Sequence, residues 1–285
     1  MKIPKRIQPL VDDGIVDEVL RPLMSGKEAS VYVVRCGEEI RCAKVYKDAA
    51  QRSFKQAVLY QEGRKVRNSR RARAMEKGSK FGRKQQEDAW HNAEVDALYK
   101  LARVGVRVPQ PFGCFDGVLL MELVTDEDGG VAPRLNDVSM SAEQAIEDHA
   151  LVMHYVKLML CAGLVHGDLS EFNVLVDEYG PVIIDLPQAV DAAGNNNARS
   201  MLARDVNNMT EYYGQYAPEI LQTRYADELW AYYEDGELTE DTELTGFFED
   251  SGEAADVDAV LMEIKAAMEE EGERLERIRE ANEDD

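Results

Sequence analysis

The sequence predicts an α+β fold of two lobes with a cleft between them, and three observations carry that expectation. The β-rich runs fall in the first 124 residues, with a single helical stretch among them. Helical patterns dominate the remainder. Two short apolar triplets, Val174-Leu-Val176 and Val182-Ile-Ile184, interrupt that helical half around the turn Asp177-Glu-Tyr-Gly-Pro181. With 285 residues and 45% hydrophobic content the chain can bury a real core, which excludes wholesale disorder.

Residues 10–23 mix apolar and acidic positions and lead into a small loop. Val31–Cys36 and Ile40–Tyr46 are rich in β-formers and flank Gly37-Glu-Glu39, which reads as a hairpin. Residues 50–86 are basic and polar with little periodicity, an insert with some helix. From Asp88 to Arg103 the apolar positions Ala93, Ala97, Leu98 and Leu101 share one helical face, and Gly105 stops it. Val118–Val124 is a short buried strand. Ser141-Ala-Glu-Gln144 is a capping box opening a long helix that ends at Gly163. Asp205–Tyr213 and Pro218–Tyr233 read as helices. The end is acidic, with a helical stripe of Val257, Val260, Leu261, Ile264 and Met268. The expected organisation is an N-lobe over 1–121, carrying an N-terminal extension and the insert at about 50–86. A hinge and C-lobe follow over 122–235, then an acidic helical tail over 236–285.

The net charge of −22 is uneven. Residues 1–110 carry +10 and residues 111–285 carry −32; Arg52–Lys84 alone holds 12 basic and 2 acidic residues. A basic stretch of that density can grip phosphates, or it can simply be a solvated loop. The four cysteines, Cys36, Cys42, Cys114 and Cys161, are widely spaced with no C-x-x-C, which argues against a disulfide scaffold or a cysteine zinc site. Reduced thiols in the cytoplasm are expected. No apolar run approaches a membrane helix, and Met1–Ile7 lacks the apolar core of a signal peptide. His91, His149 and His154 lack the company of a metal site and read as core or surface residues.

The chemistry centres on His166-Gly-Asp-Leu-Ser-Glu-Phe-Asn173 and Ile183-Ile-Asp185. If the two apolar triplets pair antiparallel, Asn173 and Asp185 meet at one mouth of the hairpin. An amide oxygen and a carboxylate there suit Mg²⁺, completed by water and phosphate. Asp168, on the loop leading in, can accept a proton from an attacking hydroxyl or orient it. By chance the four fixed positions of H-G-D-x-x-x-x-N would occur in such a chain on the order of once in a thousand. The block is therefore read as machinery rather than as a turn. Ser25-Gly-Lys-Glu-Ala-Ser30 is a small-residue loop able to present N–H groups to phosphates, although it is neither a G-x-G-x-x-G nor a Walker A. Lys44 follows in the next strand with apolar neighbours, and Glu94 on the helix can hold it. In chain order these parts describe an ATP cleft.

The chain resembles the RIO-type atypical serine/threonine protein kinases, the RIO1 branch in its compact bacterial form. The resemblance rests on Met24–Tyr32, Ala43-Lys-Val-Tyr46, Trp90 with Glu94, Pro133-Arg134-Leu135, His166–Asn173 and Ile184-Asp185-x-x-Gln188, and covers about residues 20–215. It implies a trimmed, bilobal protein-kinase-like fold that binds ATP with Mg²⁺ or Mn²⁺. By this resemblance Ser25, Gly26, Lys27, Glu28, Ala29 and Ser30 cover the phosphates, and Lys44, paired with Glu94, contacts the α/β-phosphates. Glu122 and Val124 offer hinge backbone groups to adenine beside the gatekeeper Met121. Asp168 is the catalytic aspartate, and Asn173 and Asp185 hold the metal. Hydrolysis through an aspartyl-phosphate is associated with the family, with Asp185 the implied acceptor here. Family roles in ribosome maturation imply RNA contact through 52–84, and Ser53, Ser69 and Ser79 are candidate phosphorylation sites.

Compared with ordinary protein kinases, Asp185-Leu-Pro-Gln replaces Asp-Phe-Gly, and no Ala-Pro-Glu follows. Pro187 stiffens the step after the metal site. The expected enzyme is an ATP-dependent, autophosphorylating serine/threonine kinase, with an ATPase as a companion activity. Two alternatives stay open: a small-molecule kinase of the aminoglycoside or choline type, and a ribosome- or RNA-binding assembly factor switched by ATP.

Overall fold

The computed structural model describes residues 3–26, 29–47 and 94–249. Lys27, Glu28, the basic stretch with its serines, Trp90, His91 and the apolar stripe of the acidic tail lie outside the described residues. The described chain up to Phe247 belongs to one compact unit; of a second, beginning at Phe248, only Phe248 and Glu249 are described.

A short helix α1 (Gln8–Asp12) precedes β1 (Glu18–Ser25), β2 (Ala29–Cys36) and β3 (Glu39–Tyr46). Helix α2 is described over 94–103, and β4 (Pro111–Phe115) and β5 (Val118–Glu122) complete an antiparallel sheet in the order β1-β2-β3-β5-β4. β2 and β3 form the expected hairpin, with Cys36 opposite Glu39 and Gly37 at φ +65° in the turn. Strand β1 was not expected within residues 10–23. It lies at the sheet edge, where Pro22 has no ladder bond to break, and two register shifts blur its alternation.

The two faces of the sheet have different covers. Ile7 and Leu10, at and just before α1, pack with Val34, Ala43, Val118 and Leu120 on one face. On the other, Ala29, Tyr46 and Leu119 cluster with Leu98 and Leu101 of α2. Because strand side chains alternate, β3 sends Ala43 and Val45 to the first face and Lys44 and Tyr46 to the second, toward α2.

Among the described residues the second lobe is helical apart from two short strand pairs and two isolated bridges. A single 3₁₀ turn (Leu135–Asp137) precedes α3 (Ala142–Cys161). Strand β6 (Leu164–Val165) pairs with β9 (Val190–Asp191), and between them lies the hairpin of β7 (Val174–Asp177) and β8 (Gly180–Ile183). α4 (Ala198–Gly214), a 3₁₀ turn (Pro218–Gln222) and α5 (Tyr225–Glu234) follow. Ser141 caps α3 by accepting from the Gln144 N–H, while the Gln144 side chain donates forward to Asp148. The core runs through Met153, Leu160, Leu202, Met209, Tyr213 and Leu229, each 2% exposed or less. Burying a side chain of this size contributes on the order of 1.5–3 kcal/mol.

Two boundaries differ from expectation. α4 begins at Ala198, seven residues before Asp205, and the stretch from Pro218 is broken into a 3₁₀ turn and α5. The compact unit also runs past residue 235. Buried Lys157 donates to the carbonyls of Glu240 and Thr242, and buried Glu228 accepts the N–H groups of Thr245 and Gly246.

Candidate active site

The β7–β8 hairpin brings its two polar flanks together. Val174 pairs with Ile183, and the Ile184 N–H donates to the Asn173 carbonyl at 3.0 Å. Asn173 and Asp185 therefore share the mouth of the hairpin, as their spacing predicts. Asp185 takes a left-handed backbone, φ +64°, which is rare and strained for a residue with a Cβ.

Lys44 reaches across to this mouth. Its Nζ lies 2.6 Å from Glu94 Oε1 and 2.8 Å from Asp185 Oδ1. Lys44 and Glu94 are 8% and 2% exposed, and the Tyr46 hydroxyl donates to the other oxygen of Glu94. Burial opposes the lysine's charge, but Glu94 and Asp185 outweigh it and raise its pKa. At Asp185 burial pushes the pKa up, yet the Lys44 ammonium overrides it and holds the carboxyl below its ordinary value.

Asp168 is exposed on the loop before the hairpin. Burial of its carboxyl raises its pKa, and the Arg204 guanidinium offsets only part of that rise. The His166 imidazole is used on both sides: Nδ1 accepts the Asp168 N–H at 3.2 Å and Nε2 faces the Ile184 carbonyl at 3.1 Å. That pairing assigns the Nε2–H tautomer, so the ring is a brace between the loop and β8. The Asn173 side-chain amide donates to the Asp168 carbonyl at 2.8 Å, which fixes the Asn173 side chain with its oxygen as the end that could hold a metal. One amide oxygen plus the second Asp185 oxygen is a hard donor pair that fits Mg²⁺ or Mn²⁺ alongside nucleotide phosphates. No group of three or more His, Cys, Asp or Glu that could hold a metal ion is found among the described residues.

The profile described as "RIO1: RIO domain" matches residues 30–226. The chain belongs to the RIO kinase family. It is 36% identical over 208 residues to the RIO-type serine/threonine-protein kinase Rio1 of Haloferax volcanii, covering 73% of this chain and 67% of that one. It is 30% identical to the serine/threonine-protein kinase RIO1 of Chaetomium thermophilum and 29% identical to the human protein of that name, over 75% and 79% of this chain. Those matches span only 43% and 38% of the two eukaryotic relatives.

In this RIO cleft the loop residues Ser25 and Ser30 face each other as the last β1–β2 pair, with their hydroxyl oxygens 3.1 Å apart, and the Gly26 N–H donates to Ala29 O. Met121 lies opposite Cys42 at the end of β5. The Glu122 N–H is spent on Gln110 O, and the Val124 carbonyl accepts from Ala132. The Glu122 side chain is committed as well, to a two-pronged pair with Arg107 at 3.0 and 2.8 Å. Burial would raise the Glu122 pKa, and Arg107 lowers it.

Sequence reasoning missed two holding devices. Arg107 also pairs with Asp177 at 2.9 Å, riveting the end of β5 to the β7–β8 turn. Asp205 on α4 is 1% exposed and accepts the N–H groups of Gly167 and Leu169 at 2.7 and 3.0 Å. Its neighbours Arg204 and Asn208 donate to the carbonyls of the same two residues. Burial pushes the Asp205 carboxyl up to about 6. The available signal was Arg204-Asp205 with Asn208 three residues on, polar groups on one helix face in a chain that otherwise buries that face.

Proposed function

We propose that this chain is an ATP-dependent serine/threonine protein kinase that phosphorylates itself and also turns over ATP through an aspartyl-phosphate. The single observation behind this reading is Lys44 joined to both Glu94 and Asp185. A lysine buried in a strand, a helix glutamate and the aspartate at the hairpin mouth meet in one cleft, and the Asp185 charge is felt at Asp168. Lys44 would contact the α/β-phosphates, and Ser25 to Ser30 would lie over them. Adenine would meet the two hinge groups left after the bonds above, the Glu122 carbonyl and the Val124 N–H, with Met121 behind it. A divalent cation, Mg²⁺ or Mn²⁺, held by Asn173 and Asp185 would supply charge neutralisation on the phosphates.

Asp168 carries the proton step. Its carboxylate accepts the hydrogen bond of a serine hydroxyl, orients the oxygen in line with the γ-phosphorus, and takes the proton as transfer proceeds. Without an acceptor hydroxyl, the Asp185 oxygen not held by Lys44 can attack the γ-phosphorus. ADP leaves, and water then hydrolyses the acyl phosphate. Contact of residues 52–84 with ribosomal RNA belongs to the same proposal, supported by their 12 basic against 2 acidic residues. A cytoplasmic setting is supported by Cys36, Cys42, Cys114 and Cys161 standing as free thiols.

The test is incubation of purified protein with [γ-³²P]ATP and Mg²⁺ or Mn²⁺, followed by the stability of the label. Acid-stable label on serine supports the kinase, and hydroxylamine-labile label supports the aspartyl intermediate. Absence of both, with no ADP formed, would overturn the reading.

A further inference from the structure

Lys44 is the cation expected for the nucleotide, but its charge is already offset by Glu94 and Asp185. A triphosphate entering a cleft that also holds Asp168 calls for further positive charge. Arg134 is placed to supply it. Its backbone sits on the floor of the cleft, bridged to Leu175 of β7, two residues beyond Asn173. The segment around it is pinned from both sides: Val176 N–H donates to Pro133 O at 2.9 Å, and the Tyr212 hydroxyl of α4 donates to Leu135 O at 2.6 Å.

From that floor the side chain rises across the front of the cleft. Its Nη2 lies 2.8 Å from the Met24 sulfur, on β1 directly before Ser25. Among the described residues no carboxylate pairs with it, and the thioether is its one acceptor. A guanidinium has five donors in a rigid fork, and a thioether is a weak acceptor. Its charge is also felt at Asp185, where it helps to hold the carboxyl low. Half-buried, fixed at its base and poorly satisfied at its tip, this fork matches the geometry of phosphate oxygens.

We propose that Arg134 is a nucleotide-phosphate ligand, exchanging the Met24 sulfur for phosphate oxygens of ATP when the cleft fills. The inference rests on the ATP-dependent reading above and adds a residue and a direction of approach: a cation from the C-lobe floor, in addition to Lys44 of β3. It differs from a latch role, in which Arg134 merely ties β1 to the floor. A latch would matter equally for every ligand of the cleft, whereas a phosphate ligand matters only for those that carry phosphates.

Calorimetric titration of the full chain with ATP plus Mg²⁺ and, separately, with adenosine distinguishes them. Arg134→Ala is expected to weaken ATP binding about tenfold or more, with adenosine changed by less than about twofold. Arg134→Lys, which keeps the charge without the fork, should fall between wild type and Arg134→Ala for ATP. Equal losses for ATP and adenosine would overturn the proposal in favour of the latch, and unchanged ATP binding would overturn it outright. Wild-type protein that takes up no nucleotide would sink the kinase reading first. Normal wild-type uptake with an indifferent Arg134→Ala variant would sink this inference alone.

Discussion

On the N-lobe wall of the cleft, Lys44 and Glu94 are almost fully buried and are held by side chains: each other, Tyr46 and Asp185. On the C-lobe wall, Asp168 is exposed and the Asp185 side chain is 45% exposed, and what is held there is the backbone. Asp205, Arg204 and Asn208 grip the peptide groups of Gly167 and Leu169, and His166 ties the loop to β8. The contrast separates two ways of building an active site. The first makes a working group part of the core, so chemistry and stability fail together. The second mounts working groups on a clamped loop, so a side chain can be lost without loosening its support.

The largest effect expected from this contrast is at Asp168. Asp168→Ala should lower phosphoryl transfer by about 10²–10⁴-fold while nucleotide still binds and the melting temperature stays put. Retained labelling, or a melting shift of several degrees, would break the comparison on the C-lobe side. Lys44→Ala should fail on both counts. Turnover drops, and with Glu94 left buried beside only Tyr46, unfolding in urea should show a loss of about 3–5 kcal/mol. An unchanged urea midpoint would show that the N-lobe pair is not part of the core after all.

The smallest effect concerns the clamp itself. The Asp205 pKa is raised to about 6 by burial, against about 3.9 for an unfolded aspartate. The folded protein thus binds that proton more tightly. The group's contribution to stability is complete below about pH 4 and is lost as pH rises through about 6. Asp205→Asn cannot titrate and, like the protonated acid that wild type carries at pH 4, offers one good acceptor to the two N–H groups. Its stability relative to wild type should therefore rise from pH 4 toward pH 7 in melting experiments. A relative stability that falls over that range would reverse the assignment.

Local sequence carried the parts of the site whose geometry is local. Asn173 and Asp185 could be brought together on paper because a single hairpin separates them, and Lys44 with Glu94 because one strand and one helix present them. The two lobes were equally visible from the order of strands and helices. What stayed hidden acts at a distance or breaks a pattern. Asp205 works on peptide groups 36 and 38 residues away, and a helical aspartate gives no local sign of that. Arg107 joins residues 15 and 70 positions away. Strand β1 lost its alternation to Pro22 and two register shifts, which an edge strand tolerates. Residues 236–247 read as acidic tail because their anchors are backbone groups, contacted by Lys157 and Glu228, and backbone acceptors are invisible in a sequence.

The Lys44 ammonium carries three hydrogens, and Glu94 and Asp185 engage two of them. The third is uncommitted among the described residues, so an arriving phosphoryl oxygen can be greeted without evicting either acid. If nucleotide docks there as proposed, it adds a partner to Lys44 and replaces neither of the two it has.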